Sequence, residues 1–281
     1  MTPARIFLVL CLLFSSPLQA DQYGYGTLVV LGISTNKIVI AADSRGLMEG
    51  EPPNDHECKI VGLSKRMIFT GAGIEGEEHT VLTQKNWSAL AEASRAYGIV
   101  QRVSPRSPDL LKSVSDEWLQ AMEPRFRGVL KTGRTWLLDR PGNSLFEAVF
   151  AGTDESGKFE AREVSITYDR TAEQAGISKP LVAINSWDFT PQIVFKAIGH
   201  GEIAYEFAGQ STPRARAEAF RWQGELRDNP AGDLDLRQAV HYVQLTEDLA
   251  PVDWGVGGHI DQAEILPHTG LQWIDRKPEC H

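Results

Sequence analysis

The sequence predicts an α+β fold in which helices are layered on stacked antiparallel sheets. Three observations predict it. Paired apolar runs of strand length open the chain, similar runs return in its middle and at its end, and two pairs of helical periodicities lie between them. Residues 28–33 are apolar and 37–42 are rich in β-branched side chains, with Ser34-Thr35-Asn36 as the turn between them. A second pair, 58–63 and 67–70, is joined by the polar Ser64-Lys65-Arg66. Residues 49–55, with two prolines, form the loop that links the pairs. The spacing of Val81, Leu82, Leu90 and Ala91 predicts a helix over 75–97, and that of Leu110, Leu111, Val114, Trp118, Leu119 and Met122 predicts another over 108–130. Strands at 145–153 and 158–167 flank the turn Asp154-Glu155-Ser156-Gly157. Helices at 212–227 and 234–249 and a last strand pair at 260–266 and 271–274 complete the order.

The segment ahead of these elements reads differently. Residues 1–5 carry one positive charge, 6–14 are continuously apolar, and Leu18-Gln19-Ala20 ends in the small residue that signal peptidase reads. This is a signal peptide over 1–20, because a bilayer span needs roughly 20 apolar residues and this run is much shorter. A secreted or periplasmic protein is expected. The remaining length suits one domain over 27–281, with no repeat or linker to divide it. The net charge of −9 and pI of about 5.3 disfavour nucleic acid and anionic lipid as partners. No metal-binding motif is present, and no cofactor is expected. Of three cysteines, Cys11 leaves with the signal, and Cys58 and Cys280 are able to pair in an oxidising compartment. The position of Cys58, opposite in face to Lys59, predicts a packed core cysteine.

The chemistry is carried by spacing. Gly26-Thr27 stands just behind the cleavage site, Asp43 follows sixteen residues later in Ala41-Ala42-Asp43-Ser44-Arg45, and Lys59 sixteen later again. A threonine hydroxyl needs a base, and a free α-amino group, with a pKa near about 8, supplies one on the same residue. A neighbouring lysine favours the neutral amine and stabilises the developing alkoxide, and Asp43 supplies the carboxylate that a buried lysine needs. Singly these residues mean little: Asp43 reads as a turn aspartate and Lys59 as a solvated strand lysine.

With these residues, the chain resembles the proteasome β-subunit family of N-terminal-nucleophile hydrolases. The likeness includes Lys59-Ile60, Thr70-Gly71-Ala72-Gly73, the strand end Ala197-Ile198-Gly199-His200-Gly201, and the stretch from Asp253 through Val256 to Asp261. It implies a four-layer αββα sandwich and a threonine-type peptidase with Thr27 exposed by cleavage after Gly26. Residues 21–26 are then a short propeptide. By the same resemblance Asp253 joins the catalytic set, Gly71 donates to the oxyanion with Gly73 as the alternative, and Leu47, Glu57, Val61 and Phe69 line the substrate pocket. A peptide or protein is the implied substrate, a homo-oligomer remains open, and Arg45 supports Asp43 or the loop after it. Val256 replaces the family's serine that positions the terminal amine, and His200 stands near the nucleophile where the family has serine. A non-peptidase amidase or acylase and a catalytically silent structural protein are the alternative readings.

Overall fold

The computed structural model describes residues 22–48, 51–79, 84–104, 107, 109–131, 144–167, 181–187 and 194–280. The expected signal segment, 1–20, lies outside them. The fold is mixed α+β with antiparallel strand pairing throughout, compatible with a sandwich.

Two five-stranded sheets form the centre. In the first, β2 (Leu28–Ile33) and β3 (Ile38–Ala42) lie between β12 (Val194–Gly199) on one side and β13 (Asp261–Leu266) with β14 (Gly270–Asp275) on the other. The second runs β11 (Leu181–Trp187), β10 (Phe159–Thr167), β9 (Ser144–Thr153), β6 (Met67–Gly73), β5 (Ile60–Ser64). Every residue of β3 is buried, because both faces of this strand are covered. Ile38, Ile40 and Ala42 enter the cluster between the sheets, which also contains Ile60, Ile68 and Val149. Val39 and Ala41 point the other way, against α3 (Glu202–Ala208) and α5 (Leu234–Leu249). On the outer side of the second sheet, α1 (Ala89–Val103) and α2 (Leu110–Lys131) close over Phe69, Phe146 and Phe150. Between α3 and α5 runs α4 (Pro213–Asp228), capped by Thr212, whose hydroxyl accepts from the Ala215 amide at 3.1 Å.

A third, four-stranded sheet sits at one end, in the order β4 (Leu47–Met48), β1 (Gln22–Tyr25), β7 (Gly76–His79), β8 (Gln84–Ser88). One sequence expectation changes here. The predicted helix over 75–97 begins only at Ala89, where Ser88 caps the first turn by accepting from the Ala91 amide. Ahead of it lie β7 and β8, because β7 takes its backbone partners from β1 and β8, and this pairing overrides the helical reading of Gly76 to His79. Val81 and Leu82, which carried part of that periodicity, lie outside the described residues. The expected propeptide is a strand as well. Tyr25 pairs with Leu47 and Gly24 with Gly76, so residues just before Thr27 are built into a sheet.

Candidate active site

The two central sheets bring four chain segments to one end. Thr27 precedes β2 and Asp43 follows β3, while Lys59 precedes β5 and Glu75 follows β6. Antiparallel pairing of β2 with β3 and of β5 with β6 fixes each couple at the same sheet end. All four side chains are buried, with Thr27, Asp43 and Lys59 fully so.

The lysine's partner is not the one the sequence suggested. Lys59 Nζ donates to both oxygens of Glu75, each at 2.7 Å. Thr27 Oγ1 donates to Glu75 Oε1 at 3.0 Å, so one carboxylate joins hydroxyl and ammonium. Asp43 instead receives backbone amides, Leu28 N–H on Oδ1 and Gly257 N–H on Oδ2, both at 2.8 Å. It thereby ties β2 to the loop after the 3₁₀ turn Val252–Trp254. Burial pushes the Asp43 carboxyl up to about 7, although the nearby Lys59 charge and the two amide bonds pull it down. Glu75 went unnoticed in the sequence because its helix-like surroundings gave it no distinguishing signal.

Thr27 has a second unusual property, a φ of 111°, next to Gly26 at 116°. A β-branched residue at positive φ is a steric outlier, held only where its surroundings over-determine it. Those surroundings are visible. The Thr27 carbonyl accepts from the His200 amide at 3.2 Å, and its hydroxyl is anchored on Glu75. Gly199 lies so close that a Cβ there would come within 2.2 Å of the Thr27 carbonyl oxygen, so only glycine fits. Its own amide donates to Glu147 Oε2 at 2.9 Å, and burial raises this carboxyl above its ordinary range.

The other expected positions separate into near and far. Gly71 pairs with Ala148, and a Cβ on it would overlap the Phe146 ring at 2.3 Å, which gives this glycine a packing role. Gly73 pairs with Phe146 in the same ladder. Leu47 pairs with Tyr25 one residue ahead of Gly26. Glu57 sits on the loop between β4 and β5, where its backbone bonds the Ser44 carbonyl at 3.0 Å. Val61 and Phe69 belong to the core under α1 and α2: Phe69 is fully buried, with Trp118 and Phe150 rings at 5.5 and 4.8 Å. Asp253 is exposed in the 3₁₀ turn, and among the described residues no hydrogen bond joins it to Thr27. Val256 is buried in the apolar cluster against α5. Arg45 grips Asp55 through Nε and Nη2 at 2.6 and 3.0 Å, bracing the loop that follows it. The His200 ring stacks on Trp254 at 4.7 Å, and His259 lies 3.3 Å from Asp275.

Cys58 is bonded to Cys280 rather than packed free, which corrects the expectation of a core thiol. The bridge adjoins Lys59 and pins its strand to the region after β14, where Lys277 also reaches the Glu57 carbonyl. Among the described residues no group of three or more His, Cys, Asp or Glu is placed to hold a metal ion. None of their helices is long and apolar enough to cross a membrane. Comparison of the chain with protein families and with curated proteins gave no match.

Proposed function

We propose that this protein is an exported threonine-type N-terminal-nucleophile hydrolase of peptide bonds, with the four-layer αββα sandwich that its resemblance to proteasome β-subunits implies. The observation that carries the reading is Thr27 itself. A fully buried threonine is held at positive φ with its hydroxyl bonded into a carboxylate–lysine pair, directly after a glycine. Strain at a peptide bond beside an engaged hydroxyl suits cleavage of that bond by that hydroxyl. The freed α-amine then serves as base in turnover, and Lys59 stabilises negative charge on the hydroxyl oxygen. Gly71 or Gly73 is the oxyanion donor in this reading, and Asp43 positions the head of β2.

A peptide substrate is favoured by the third sheet. β1 leads into Gly26-Thr27 as an extended strand between β4 and β7, the form in which a peptide would present its scissile bond. The second reading, a silent scaffold, rests on Val256, which supplies no hydroxyl near the site.

The test is the N-terminus of the purified protein. Active wild-type protein should begin at Thr27 by intact mass, and Thr27→Ala should retain the upstream residues, fold, and turn over no peptide library. Active enzyme that still begins at Asp21 would exclude Thr27 as an N-terminal nucleophile. Wild type that begins at Thr27 yet cleaves nothing would favour the scaffold.

A further inference from the structure

Before cleavage the amine of Thr27 is locked in the Gly26–Thr27 peptide bond and cannot accept a proton. Some other group must take the hydroxyl proton in that first reaction. The ionisable side chains to weigh are Glu75, which meets the hydroxyl directly, Lys59, which is bonded to that same carboxylate, and Asp43 and Glu147, which hold the backbone on either side, at Leu28 and at Gly199. Asp43 is committed to the amides of Leu28 and Gly257, and Glu147 to that of Gly199. Lys59 presents N–H donors to Glu75. The group on which the Thr27 hydroxyl proton already points is Glu75, at 3.0 Å.

We propose that Glu75 is the general base of self-cleavage, distinct from the α-amine that serves turnover; this rests on the reading of Thr27 as a self-released nucleophile. The Thr27 Oγ1 lone pair forms a bond to the Gly26 carbonyl carbon as the hydroxyl proton passes to Glu75 Oε1. The carbonyl π pair moves to its oxygen. Collapse of this adduct breaks the Gly26 C–Thr27 N bond, the pair leaves with nitrogen, and the Glu75 carboxylic acid returns the proton to it. The product is a Gly26 ester on Thr27 with a free amine. Water then adds to the ester, giving the Gly26 carboxylate and regenerating the Thr27 hydroxyl. Lys59 keeps the carboxylate oriented by holding both of its oxygens, and the strain at Thr27 is released with the bond.

The experiment follows appearance of the Thr27 N-terminus by intact mass in the full chain refolded under oxidising conditions. Wild type should cleave, and hydroxylamine should intercept the ester as a Gly26 hydroxamate. Glu75→Gln, close in shape but unable to take the proton, should cleave about 100-fold more slowly or worse, the usual contribution of a general base. Glu75→Ala should be slow and then accelerated at least about tenfold by added formate, a small carboxylate that replaces the missing base. A merely structural role, holding Lys59 in place, predicts no formate effect. Folding is checked by the Cys58–Cys280 bond and the thermal melt, and Glu75→Gln decides if Glu75→Ala fails to fold. Cleavage of Glu75→Gln within threefold of wild type, or a folded Glu75→Ala that formate leaves unmoved, overturns the assignment of Glu75. Wild type that never releases Thr27 overturns instead the reading on which it rests.

Discussion

At the scale of single residues, conformation and charge at the buried site should both be measurable in stability. Thr27 sits at φ 111°, which costs any side chain with a Cβ roughly 1–2 kcal/mol. Uncleaved Thr27→Gly should therefore be more stable than uncleaved Thr27→Ala, by about 1 kcal/mol after glycine's greater freedom in the unfolded chain is subtracted. Urea titration of the two variants checks this, and the opposite order would remove the argument for strain. Asp43 provides a pH dependence. Its folded value of about 7 lies above its unfolded value, so the folded chain holds that proton more tightly. The resulting stability is fully present below the unfolded value and is lost as pH rises through about 7. Glu247, raised by burial to about 7 with one oxygen lacking a partner, acts in the same direction. Wild type should lose stability between pH 5 and pH 8, and Glu247→Gln should flatten that slope. A slope unchanged in Glu247→Gln would show that its carboxyl is not the one titrating.

At the scale of elements, the bridge between Cys58 and Cys280 is the strongest lever. It closes a separation of 222 residues beside Lys59. Cys280→Ser should cost about 2–5 kcal/mol in denaturant unfolding. A cost below about 0.5 kcal/mol, the usual effect of a surface substitution, would mean the bond constrains nothing in the unfolded chain. The sequence announced such elements unevenly. β2, β3 and α5 were legible because their apolar spacing is set by faces that the fold buries, and the predicted 234–249 matches α5 as observed. β7 and β8 were illegible because β7 draws its strand form from pairing with β1, a long-range partner that no local spacing records, and β8 pairs in turn with β7. Glu75 was hidden by the same misreading, since a residue assigned to a helix start gives no reason to look for Lys59 beneath it.

At the scale of the whole molecule, the site exists only where two sheets end together. Spacing revealed Thr27, Asp43 and Lys59 because each occurs at a strand end whose length is fixed by the sheet. It could not reveal which carboxylate meets the lysine, since Glu75 reaches Lys59 through the pairing of β5 with β6, which the helical reading of 75–97 concealed. The strand before Thr27 gives the last prediction. If β1 is released as the proposed function requires, β4 and β7 lose the partner between them. Hydrogen exchange at Leu47–Met48 and Gly76–His79 should quicken in the cleaved protein relative to uncleaved Thr27→Ala. Unchanged protection would mean that β1 stays bound after cleavage and that the slot is not vacated.

The tie from Asp43 to the Gly257 amide has a bearing on timing during synthesis. A ribosome makes Thr27 and Lys59 early, yet the aspartate between them has only its Leu28 partner until the chain has been translated past residue 257. The strand of Lys59 is fastened later still, when residue 280 has emerged and been oxidised. The candidate nucleophile, Thr27, is thus among the first residues to be made, while its surroundings are completed among the last. On the proposed reading of Thr27 as a self-released nucleophile, a nascent chain would carry its cutting group in an unarmed state, and cleavage would report that the far end has arrived and folded.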